Sequence, residues 1–97
     1  MGSTFLIAAT SLTLMLADYY ELIRISPLGS YRVAYSHVRV LGPKGRIVAE
    51  AKTDRYGRIK FELPAGTYDA EVKDGNNSYR FKLTVSGSRT VTRIELK

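Results

Sequence analysis

The residues that could do chemistry are few and scattered. The single histidine, His37, lies in Tyr35-Ser36-His37-Val38-Arg39. No distinctive partner stands near it in sequence for a nucleophile–base–acid arrangement, so it reads as a surface histidine. Cysteine is absent, which excludes a disulfide framework and thiolate chemistry, and one histidine is a poor start for a transition-metal site. Asp54 occupies the second position of Thr53-Asp54-Arg55-Tyr56-Gly57, where a carboxylate stabilises a turn. Asp69 and Glu71 are two residues apart on an alternating run, sharing one solvent face as solvated charges rather than as an acid–base pair. Glycines fall singly in turns, so no phosphate-cradling loop exists. No catalytic residue, cofactor or metal is expected.

The basic residues raise the question of nucleic acid. Arg39, Lys44, Arg46, Lys52, Arg55, Arg58, Lys60, Arg80 and Lys82 are interleaved with Tyr35, Tyr56 and Tyr79, as in single-strand binders. They also alternate with Glu50, Glu62, Asp69 and Glu71, the composition of a mixed sheet surface, and no nucleic-acid partner is expected. Asn76-Asn77-Ser78 is a glycosylation acceptor triplet in a turn, which makes Asn76 a candidate modification site for a cell-surface protein.

These residues must be positioned by a short chain. Ninety-seven residues amount to one domain; 15 Lys and Arg against 9 Asp and Glu leave a net charge of +6, and the 44% hydrophobic content is that of a globular protein. The charge is distributed unevenly. Residues 1–17 carry none, and every ionisable side chain lies from Asp18 onward. Phe5, Leu6, Ile7, Leu12, Leu14, Met15 and Leu16 represent about 10–20 kcal/mol of burial, comparable to the whole stability of a small domain.

A signal peptide would have a basic start and small residues before its cleavage point; no Lys or Arg precedes Phe5, and Met15 stands where a small residue is wanted. Seventeen uncharged residues are marginal for a membrane span, although Tyr19 and Tyr20 would supply an interfacial belt. Read as a helix over 1–25, the segment is apolar on every side and must be surrounded by other copies. Phe5, Leu6, Ile7, Ala8, Ala9, Leu12, Leu14, Met15 and Leu16 form the expected assembly interface. The run Ser11-Leu12-Thr13-Leu14-Met15-Leu16 alternates over part of its length and leaves a second reading, a strand donated to a neighbour's sheet.

Ser26-Pro27-Leu28-Gly29-Ser30 is a breaker cluster, expected as a hinge over 26–30. Beyond it the period becomes two. Ile59, Phe61 and Leu63 alternate with charges, as do Tyr68, Ala70 and Val72, then Tyr79, Phe81, Leu83 and Val85, then Thr92, Ile94 and Leu96. With turn residues at short intervals, residues 31–97 are expected to form a β-sandwich of six or seven antiparallel strands. The run Thr53-Asp54-Arg55-Tyr56-Gly57-Arg58-Ile59-Lys60-Phe61, followed by Leu63-Pro64-Ala65-Gly66-Thr67-Tyr68, resembles the prealbumin-like sandwiches, which include Cna protein B-type repeats and carboxypeptidase regulatory-like domains. That resemblance implies a structural module. Many Cna-type repeats close a Lys–Asn isopeptide bond, but Thr90–Lys97 has no Asn, so none is expected.

The expected whole is an N-terminal apolar α-helix joined to an all-β sandwich. This architecture resembles archaeal type IV pilins and flagellins, in which helices bundle inside a filament and sandwiches coat it. Phe5 stands where bacterial type IV pilins carry a Glu. The resemblance implies an extracellular cell-surface filament subunit acting in adhesion, a helical homopolymer that resides in the membrane before assembly. A single-pass anchored binding module is the alternative.

Overall fold

The computed structural model describes residues 13–97. They form eight strands: β1 Met15–Ser26, β2 Gly29–Arg32, β3 His37–Leu41, β4 Ile47–Lys52, β5 Arg58–Pro64, β6 Gly66–Asp74, β7 Asn77–Val85 and β8 Val91–Leu96. One 3-10 turn, Pro43–Gly45, joins β3 to β4.

Two four-stranded sheets share one core. The first is organised around β1. Its Met15–Glu21 stretch pairs antiparallel with β5 and its Ile23–Ser26 stretch with β2, while β8 runs parallel to Tyr19–Arg24. Residues flanked by β8 on one side meet β5 and then β2 on the other, so β5 and β2 follow one another along a single edge of β1. The second sheet is antiparallel throughout, in the order β4-β3-β6-β7.

The N-terminal helix expected over 1–25 is corrected by this arrangement. Residues 15–26 are the longest strand of the fold, and no helix longer than the 3-10 turn occurs among the described residues. The reason lies in β1's neighbours. Asp18, Tyr20 and Leu22 face the core with Met15, Ala17 and Tyr19 on the other face, and strands on both edges satisfy backbone groups that a helix would satisfy internally. The helical part of the likeness to type IV pilins has no counterpart in residues 13–25, and residues 1–12 lie outside the described chain. Within 31–97 six strands, β3–β8, match the expected number, but β8 pairs in parallel with β1, and β1 and β2 bring the total to eight. A sandwich-like body holds for the C-terminal part.

Inside, alternation operates as expected. Ile59, Phe61 and Leu63 of β5 meet Val38 and Val40 of β3, Ala70 and Val72 of β6, and Leu83 and Val85 of β7, all nearly sealed from water. Tyr20 and Leu22 of β1 complete the same cluster. Residues 26–30 hold the β1–β2 hairpin, in which Ser26 pairs with Gly29 and the Ser26 hydroxyl accepts the Leu28 N–H at 3.2 Å.

Candidate assembly surface

The uncharged segment reaches the sandwich at the head of β1. Leu14 and Met15 are 74% and 53% exposed. Leu16 turns inward against the core and lies 3.5 Å from where a Cβ on Gly87 would stand. Of the expected interface, Phe5, Leu6, Ile7, Ala8, Ala9 and Leu12 lie outside the described residues.

Two residues further on, Asp18 anchors this strand. Its buried carboxylate accepts the Gly87 N–H at 2.7 Å and the Ser86 N–H at 3.0 Å, so the β7–β8 turn closes over the head of β1. Gly87 has φ +74°, which aims two consecutive N–H groups at one carboxylate, a small anion-binding nest. The fully buried Tyr20 donates its hydroxyl proton to the Thr84 carbonyl at 2.7 Å and stands 3.5 Å from the Asp18 carboxylate. Burial, then the nearby Asp18 charge, raises the Tyr20 phenol far above its ordinary value, so it stays neutral. Sequence reasoning did not single out Asp18. The signal open to it was the place of Asp18 as the first charge after the apolar run, with a Ser86-Gly87-Ser88 turn able to receive it.

Asp54 organises the β4–β5 connection. Its carboxylate accepts the Tyr56 N–H at 2.7 Å and the Arg58 N–H at 3.0 Å, and the bond from Arg58 above all holds its carboxyl below the ordinary value. The preceding Thr53 is buried; its hydroxyl donates to the Val33 carbonyl at 2.7 Å and accepts the Ser36 N–H at 2.8 Å. These are turn and loop functions, with the side chains engaged by backbone.

The outward face of the second sheet carries most of the remaining candidates. His37 Nε2 lies 3.5 Å from Glu50, and Arg39 Nε lies at the same distance from that carboxylate. Arg80 Nε donates to Glu71 at 2.8 Å and Lys82 to Asp69 at 2.7 Å. The Lys82 bond holds Asp69 below the ordinary carboxylate value. A depression of about 370 Å³ runs between His37, Arg39, Glu71, Lys73 and Arg80. Arg39 is engaged by Glu50 and Arg80 by Glu71, leaving a salt-bridged surface rather than a set of convergent reactive groups. Tyr56 is flanked by the Arg32 and Arg55 guanidiniums at 5.5 and 4.8 Å, so its ring is occupied within the chain. Asn76 is exposed at the tip of the β6–β7 hairpin, where a glycan would project into solvent.

Both edges of the second sheet are open among the described residues, β4 bonding only to β3 and β7 only to β6. The half-buried Tyr79 and Phe81 on β7, and Ala49 and Ala51 on β4, face the core from these edges and are only partly covered. No group of three His, Asp or Glu among the described residues could hold a metal ion. No helix among them is long and apolar enough to cross a membrane.

No protein-family model matches the chain, and no curated protein matches its sequence.

Proposed function

We propose that the chain is a structural subunit of an extracellular, cell-surface homopolymer. Its uncharged N-terminal segment is donated as a strand to the next copy. The observation that carries this reading is the head of β1. The chain enters the sandwich already extended, with Leu14 and Met15 turned to solvent, directly after a run of apolar residues without a single charge. An extended apolar segment can satisfy its backbone by adding to an open sheet edge, while its alternate side chains enter the partly covered core behind that edge. Burial of those side chains drives the assembly. In the first sheet β5 and β8 each bond only to β1 among the described residues, so their outer edges supply acceptors, and Ile94 of β8 is only partly covered behind one of them.

The test is negative-stain electron microscopy of the full chain purified without detergent, beside a chain lacking residues 1–13. Uniform thin filaments from the first and monomers from the second are expected. A truncated chain that still polymerises refutes the donated-strand mechanism. Particles dispersed only by detergent would favour a membrane-anchored binding module instead.

A further inference from the structure

The second sheet carries a row of charges across all four of its strands. Glu50 on β4 stands opposite Arg39 on β3, Arg39 opposite Glu71 on β6, and Glu71 opposite Arg80 on β7. The signs alternate, and the row begins on an acid at one open edge and ends on a base at the other. We propose that β7 of one copy pairs antiparallel with β4 of a second copy, Arg80 opposite Glu50, so that this sheet continues from subunit to subunit. The inference rests on the homopolymer reading and names a surface for it beyond the N-terminal segment.

Three further features of the sheet fit this contact. Strand direction alternates through β4-β3-β6-β7, so a neighbour placed by translation presents a β4 antiparallel to β7. Bonded and non-bonded residue pairs also alternate across an antiparallel sheet, and a row of four strands brings both edges to the same phase. The ladder therefore continues without a slip along Ala49–Lys52, up to Val48, where the pairing of β4 with β3 shifts register. On the core face, the same register sets Ala51 against Tyr79 and Ala49 against Phe81. Two small side chains at one edge meet two large, half-covered rings at the other.

The charges also select against the simplest alternative. Pairing β7 antiparallel with another β7 about Phe81 would set Arg80 of each copy against Lys82 of the other, and like charges directly opposite one another repel. Joining β7 to β4 brings opposite signs together at Arg80 and leaves Lys82 beside the irregularity at Val48, away from any basic residue of β4. A contact between two different edges is head-to-tail, and repeated by translation it generates an open assembly.

The test uses full-length Glu50→Arg and Arg80→Glu variants, each checked for native far-UV circular dichroism and followed by sedimentation and electron microscopy. Each variant alone opposes like charges at every contact, and the concentration needed for assembly is expected to rise about ten-fold. An equimolar mixture restores assembly. In it the arginine introduced into one variant meets the glutamate introduced into the other, and the native Arg80 of the first meets the native Glu50 of the second. A folding defect would not be rescued by mixing. A further variant, Glu50→Cys with Arg80→Cys in this cysteine-free chain, should oxidise to a ladder of cross-linked multimers. Single variants that assemble like the parent, a mixture no better than its parts, or cross-linking that yields monomers alone would overturn the proposal.

A Leu14→Arg variant separates the two readings. If it assembles normally while the charge variants rescue one another, edge pairing stands and the donated strand fails. If it is monomeric while the charge variants assemble normally, the reverse holds. A parent chain that is monomeric at every concentration refutes both.

Discussion

Replacing Asp18 by Ala should unlock the head of β1 from the β7–β8 turn. The carboxylate is 2% exposed and accepts two backbone N–H groups, from Ser86 at 3.0 Å and Gly87 at 2.7 Å. A hydrogen bond to a charged group contributes about 1.5–3 kcal/mol, and removing the acceptor also strands its donors. Ser86 and Gly87 lie in an exposed turn where water can reach them, which limits the second cost. The net expectation is a loss of about 3 kcal/mol. For a domain of this size that corresponds to a fall in Tm of about 12–24 °C. Thermal unfolding followed by far-UV circular dichroism reads it directly. Asp18→Asn, which keeps one acceptor oxygen and offers the turn an NH2 group it cannot use, should fall between the parent and Asp18→Ala. A Tm for Asp18→Ala within about 2 °C of the parent would refute the clamp, since that shift is below 1 kcal/mol on the same scale.

Gly57→Ala should destabilise the fold by about 2–4 kcal/mol, read as a lower urea midpoint, because a Cβ there would lie 2.8 Å from the Leu22 carbonyl oxygen and φ is +76°; an unchanged midpoint would show that β1 and the β4–β5 turn can separate freely. Asp54 has its carboxyl held below the ordinary 3.8 in the fold, so its contribution is present above that value and lost as pH falls through the lower folded one. Urea midpoints measured from pH 6 down to about 2.5 should therefore drop less steeply in Asp54→Asn than in the parent, and equal slopes would remove Asp54 from the acid response.

The strands from β5 onward were legible because each sets charges on one face and apolar side chains on the other. Arg58, Lys60 and Glu62 against Ile59, Phe61 and Leu63 is a pattern that only a half-buried strand explains. β1 obeys the same period but breaks the polarity rule. Its inward row contains a carboxylate, Asp18, while its outward row contains Met15 and Tyr19, so the apolar residues looked evenly spread as they would on a buried helix. Asp18 tolerates burial only because a turn about seventy residues away offers it two N–H groups. No local window contains that information. The hairpin at Ser26–Gly29 was visible as a breaker cluster, but whether the chain swings away there or doubles back depended on β2 finding β1.

The chain's own order of residues determined the period-two faces, the turn positions, the absence of thiol chemistry, and the uncharged character of residues 1–17. These follow from side-chain type and spacing, which are local properties. Only the tertiary structure decided that β1 is a central strand, that β8 joins it in parallel, and that Glu50, Arg39, Glu71 and Arg80 align across one sheet from edge to edge. Register between strands distant in sequence is set by which faces bury together, and that is a property of the assembled core.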